Sequence, residues 1–125
     1  MNPNPGVFAL LADDSSVVAL LKNGTQPLRV FPWGEAPQNV ATPYVTYAVV
    51  NGQPANLIDQ KPLEDTMIVQ IDVWGRTVEE ASELMDVVSA VLEDNGHMTS
   101  FDTAERDPGT KLYRGRMDFD IIKVR

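Results

Sequence analysis

The nine residues "TMIVQIDVW" (66–74) alternate without a break, with Met67, Val69, Ile71 and Val73 on one face and Ile68, Gln70, Asp72 and Trp74 on the other. Period two with one apolar and one half-polar face predicts a strand of an antiparallel sheet that is covered on one side. The pattern then changes within a few residues. After Gly75-Arg76, Thr77 and Glu80 fit the S/T-x-x-E capping box that starts a helix. Ala81, Leu84, Met85, Val88, Val91 and Leu92 follow at helical spacing, Glu79, Glu83, Asp86 and Glu93 face away, and Asn95-Gly96 ends the run. A chain that switches period so abruptly must turn a corner off its sheet and lay the helix back across it.

The flanking segments fill in the rest. Pro5 suits the first turn of a helix, where its missing N–H costs nothing. Val7, Phe8, Leu10 and Leu11 then give one short amphipathic helix. "DDSS" (13–16) offers caps for a second, over Val17, Val18, Leu20 and Leu21, which Asn23-Gly24 stops. "PLRVFPW" (27–33) reads as a short strand broken by Pro32, and "PYVTYAVV" (43–50) as a longer one. "HMTSFDTAE" is a strand, "RDPGT" a turn, and "KLYRGRMDFDIIKV" a closing strand. In the last, Tyr113, Met117, Phe119 and Ile121 alternate against Arg114, Arg116, Asp118 and Asp120, and Gly115 marks a bulge or a close backbone approach.

These elements predict an α+β domain spanning residues 1–125. A mainly antiparallel sheet of about four to five strands carries one long helix and two short N-terminal helices on one face. The other face holds Gln70, Asp72, Trp74, Arg114, Arg116, Asp118 and Asp120. "NGQPANLIDQKPLED" (51–65) separates two strands expected to be neighbours, although hairpin loops usually take about two to five residues. Leu57, Ile58 and Leu63 give it apolar content, so it either folds back on the domain or reaches for a partner.

Few chemistries are compatible with the residues. A net charge of −8 with a pI near 4.4 argues against a protein that grips duplex DNA by neutralising phosphates. The charge is uneven, with a balance of −11 over residues 1–105 and +3 over 106–125, a polarity that can steer one copy onto another or onto a partner. The absence of cysteine suits a reducing compartment and rules out disulfides. "MNPNPGVFALLADD" is too short in its apolar run for a signal peptide, and nowhere do 18 apolar residues run together.

His97 is the sole histidine, so a Cys/His metal site is impossible; no G-x-S-x-G elbow accompanies any serine. No two glycines stand closer than six positions, which leaves neither a dinucleotide fingerprint nor a phosphate loop. Asp118 and Asp120 share a strand face that would suit acid–base work or Mg²⁺, but Arg114 and Arg116 share it too, and cross-strand salt pairing is the commoner outcome. Trp33 and Trp74 are either binding platforms or packing. Arg76 at the helix N-terminus raises the one anion-site possibility, weakened because Thr77, Glu79 and Glu80 supply their own caps and negative charge. No enzyme, cofactor or metal is expected.

The order of motifs resembles a known family. Two short helices ("VFALLADDSSVVALL") lead to "LRVFPWGEAPQNVATPYVTY", then "VQIDVWGRTVEEASELMDVVSAVLED", and a closing "LYRGRMDFDI". From about residue 7 to residue 122, this succession resembles the phage tail completion family, the tail terminator proteins of long-tailed bacteriophages and related prophages. The resemblance implies a structural virion protein, assembled in the host cytoplasm, that forms a homo-oligomeric ring, usually a hexamer. Such a ring sits on the head-proximal end of the tail tube, stops its polymerisation and offers a surface to the neck or head connector. The family has no catalytic residues to carry over. Leu57, Ile58, Arg76, Arg114 and Arg116 are the expected oligomer or partner contacts. A head–tail connector or stopper of the neck is the alternative, and a small anion-binding module using Arg76 a third.

Overall fold

The computed structural model describes residues 6–38, 40–54 and 64–124. In chain order the elements are α1 (Val7–Ala12), α2 (Ser15–Leu21), β1 (Val30–Pro32), β2 (Tyr44–Pro54), β3 (Glu64–Gly75), α3 (Val78–Glu93), β4 (Gly96–Arg106) and β5 (Tyr113–Val124). They form the expected α+β arrangement, with one five-stranded sheet in the order β1-β2-β3-β5-β4. Every pair is antiparallel except β1 with β2, which run parallel through Val30↔Val45 to Pro32↔Tyr47.

The closing strand lies between its predecessors. β5 is antiparallel to both β3 and β4, so β3 and β4 run the same way and α3 crosses over β5 to connect them. That split crossover presses α3 against the sheet's apolar face. Leu84, Val88 and Leu92 are fully buried there with Met67, Val69, Ile71, Val73 and Phe119, and Met117 and Ile121 are nearly so. Val7 and Leu11 of α1 and Val17 and Leu21 of α2 join the same core. At about 25 cal/mol per Å² of apolar surface removed from water, this shared layer is the main force holding the helices down.

Each helix start has a local cause. Asp14 accepts from the amides of Ser16 (2.9 Å) and Val17 (3.1 Å) to cap α2. Thr77 Oγ1 accepts from Glu80 N (3.1 Å), and Glu80 Oε1 accepts from Arg76 N (2.8 Å), so the box at α3 closes one residue further back than its usual form. The corner is tight: a Cβ on Gly75 would lie 2.7 Å from the backbone nitrogen of Ala81. Gly115 is a close approach rather than a bulge, because a Cβ there would run into Met85 Sδ.

The sheet departs from expectation in the long connection. Residues 51–54 and 64–65 belong to the strands, paired down to Pro54↔Asp65, so the apolar-bearing link is shorter than fifteen residues. Val50 is accommodated as a bulge between Val49 and Asn51, where the register shifts by one residue and the pairing then continues. Leu57, Ile58 and Leu63 lie outside the described residues, as does Pro5. Among the described residues no helix is long and apolar enough to cross a membrane.

Candidate assembly surface

The sheet face away from the helices is organised around one carboxylate. Asp72 is only 1% exposed although it sits on the half-polar side of β3. Register places it opposite Arg116, one row from Trp74↔Arg114 and one from Gln70↔Asp118, two residues along in each direction. Its Oδ2 accepts from Arg114 Nη2 at 2.9 Å, and its Oδ1 from Arg116 Nε at 3.4 Å. Gln70 Nε2 adds a longer contact to Oδ2 at 3.4 Å. Two guanidiniums over one buried carboxylate offset a desolvation penalty that a lone ion could not sustain.

The cross-strand salt pairing expected on this face exists, with Asp72 of β3 as the partner of both Arg114 and Arg116. Same-strand neighbours two apart share a face yet stand too far along it to meet, whereas cross-strand partners face one another directly. Asp118 instead accepts from Ser100 Oγ at 2.8 Å across the β4–β5 pair.

Aromatic rings wall in the arginine. The Arg114 guanidinium lies 5.4 Å from the Trp33 ring centroid and 5.2 Å from that of Trp74, within cation–π range of both. Trp74 stacks on Tyr44 at 5.7 Å with planes 10° apart, and Phe31 meets Tyr44 edge-on at 6.4 Å. Trp74 is buried and its Nε1 donates to Thr46 Oγ1 at 3.1 Å, so its role is packing; Trp33 remains half-exposed at the rim. Burial and, to a lesser degree, the nearby Asp107 carboxylate raise the Tyr44 hydroxyl above its usual range. Asp107 is held below the usual carboxylate range, chiefly by the Thr110 hydroxyl and amide (2.7 and 2.9 Å), with Arg114 a smaller influence.

Beside this cluster opens a cleft of about 290 Å³ lined by Asp102, Glu105, Asp107, Arg106, Arg114 and Arg116 together with Pro108. Its carboxylates and guanidiniums balance, so the two arginines do not make a basic field. Arg114 is largely committed to Asp72 and the tryptophans, and Arg116, with 41% of its side chain exposed, keeps the freer guanidinium. Arg76 is exposed just past the β3 end where Gly75 pairs with Tyr113, the end that also holds Arg114. The amides of Arg76 and Glu80 at that helix start are already taken by Glu80 and Thr77 side chains. His97 is exposed and registers opposite Asp120. Among the described residues no group of three or more His, Asp or Glu side chains is placed to hold a metal ion.

Two features escaped sequence reasoning. Asp72 as the hub became visible only with the β3–β5 register. Arg29, buried at 7% exposure, donates from Nε to Pro43 O (2.9 Å) and from Nη2 to Leu20 O (3.0 Å), tying α2 to the loop before β2; its Nη1 has no partner. An arginine between Leu28 and Val30 in an apolar strand was the one available signal.

Comparison with known proteins adds a family. The family model described as "Tail completion protein gp17" matches residues 5–123. Among solved structures, a chain of the "Virion of native gene transfer agent (GTA) particle" is similar in fold, with a TM-score of 0.58 and 18% identity over 93% of this chain and 90% of that one. No curated protein matches the chain.

Proposed function

The chain belongs to the tail completion protein gp17 family, a structural, tail-related virion protein, and from that membership we propose that it is a tail terminator. In this role it caps the head-proximal end of the tail tube, ends tube polymerisation and presents the joining surface to the neck or head connector. It acts as one domain over residues 1–125, in a homo-oligomeric ring, a hexamer in the long-tailed phage arrangement. The observation that carries the proposal is the family match across nearly the whole length, in step with the order of its strand-to-helix motifs.

The surface chemistry supports a structural role. At the rim of this sheet face the half-exposed Trp33 and Arg116 remain accessible, and Trp and Arg are residue types enriched at the energetic centres of protein interfaces. Arg76 and Arg116, each more exposed than Arg114, are proposed contacts with a neighbouring subunit or partner, with Arg114, Leu57 and Ile58 as further contacts. The net charge of −8 gives the ring an overall sign that repels passing DNA rather than gripping it, which suits a conduit.

Electron microscopy of particles made without this protein tests the role. Overlong or unfinished tails are expected. Complete tails that fail to retain a packaged head would instead assign the chain to the neck as a stopper or connector.

A further inference from the structure

We propose that the subunits of this ring join head to tail along α3. The corner that starts the helix in one copy, Arg76 with Val78, seats in the groove between α2 and the C-terminal half of α3 in the next. The proposal rests on the ring reading and supplies the surface that receives the Arg76 contact.

The groove encloses about 340 Å³. Val87, Ala90 and Val91 of α3 give it an apolar lining, and Asp14, Asp86 and Asp94 give it negative charge. Among the described residues no lysine or arginine pairs with any of these three carboxylates; both ion pairs run to Asp72. Asp94 follows Glu93 at the end of α3, and the last turn of that helix holds no basic residue. Negative charge there opposes the helix dipole, so an incoming cation relieves a repulsion already present in the single subunit.

The exposed bases of the chain narrow the choice of occupant. Arg114 and Arg116 are paired with Asp72, Arg29 is buried, and Arg106 lines the cleft that also holds Asp102, Glu105 and Asp107. Arg76 is exposed; Glu80 holds its backbone amide, and its guanidinium pairs with no carboxylate among the described residues. Two positions on, Val78 is 41% exposed. No other exposed base among the described residues has a large exposed apolar side chain within two positions. A guanidinium beside an exposed valine matches a groove in which carboxylates surround valine and alanine, because the arginine stem packs on the apolar lining while its head meets the charge.

The occupant has to come from another copy. At about 1.5 Å per residue, Val78 and Ala90 of α3 stand roughly 18 Å apart along the axis, farther than the Arg76 side chain extends. The corner sits at the positive end of the helix dipole and the groove toward its negative end, so successive copies placed head to tail bring opposite signs together. Such a contact joins two different patches. It is heterologous, and repeated around an axis it closes a ring.

The chain has no cysteine, so engineered thiols report this contact directly. In the double variant Val78→Cys/Ala90→Cys the two thiols of one copy are beyond disulfide reach. On assembled tails, oxidation or a short bismaleimide is expected to give covalent multimers from the double variant and monomers from each single variant. Charge exchange gives a second readout at exposed positions. Arg76→Glu alone and Asp86→Lys/Asp94→Lys together are each expected to keep a cooperative melting transition while losing assembly, and all three substitutions combined to restore it. Double-cysteine rings that yield no cross-linked multimers, or a loss of assembly that charge exchange does not restore, would overturn the contact and leave the terminator role standing. Absence of any wild-type oligomer or complex with purified tail tube would overturn both.

Discussion

Asp72 and Arg114, 42 positions apart in sequence, meet at 2.9 Å on the open face of the sheet, and the carboxylate is 1% exposed while the guanidinium lies near two tryptophan rings. Asp72 also accepts from Arg116 at 3.4 Å, so one carboxylate of β3 ties two arginines of β5 to it.

Removing the hub should expose that coupling. Asp72→Ala leaves two partly exposed guanidiniums without their shared anion and is expected to destabilise the fold by about 1–3 kcal/mol, below the range for stranding a fully buried charge. Arg116→Ala, whose partner distance is 3.4 Å and whose side chain is 41% exposed, should cost about 0–1 kcal/mol. Urea denaturation of the two variants checks the order; equal losses would show that Arg114 is not the dominant partner.

Stability should fall at both pH extremes for identifiable reasons. Asp107 has a depressed folded-state pKa, so its contribution is present above its ordinary value of 3.8 and disappears as pH falls through the lower folded value. Tyr44 and Tyr47 have raised folded-state values, the first mainly by burial and then Asp107, the second mainly by burial and then Glu35. Above the ordinary value of 10.0 the unfolded chain loses those protons first, and stability drops as pH rises. Melting temperature against pH should show a shallower acid limb in Thr110→Ala and a shallower alkaline limb in Tyr44→Phe.

The corner between β3 and α3 tolerates no side chain. Gly75→Ala drives a Cβ to 2.7 Å from backbone, which cannot move aside, and should cost about 1–3 kcal/mol. Gly115→Ala meets the end of a flexible Met85 and should cost less. Adding Met85→Ala should relieve the clash at Gly115 but not the one at Gly75, a difference readable in calorimetric melting temperatures.

The start of α3 should behave as a closed cap and not as an anion site. Thr77→Ala is expected to lose about 1 kcal/mol. Inorganic phosphate should leave the melting temperature of the wild type and of Arg76→Ala unchanged in difference; a phosphate-dependent rise abolished by Arg76→Ala would revive the binding-module alternative.

Much of this architecture was written locally. The alternation of 66–74, the Thr77/Glu80 cap and the helical spacing from Ala81 to Leu92 each specify their element through neighbours a few residues away, so β3 and α3 were legible in the sequence, with the strand somewhat longer than its alternation. The same holds for α1, α2 and the closing strand, and for the α+β class that follows from them. What the chain alone did not specify was pairing. The parallel partner of β1, the placement of β5 between β3 and β4, the bulge at Val50 and the choice of Asp72 as the arginines' anion all depend on which strands lie side by side. Strand pairing is a contact between distant segments, and side-chain alternation is blind to it because every candidate neighbour presents the same period of two. Sequence determined the elements, their faces and the family pattern; only the tertiary structure decided which strands pair and which charges meet.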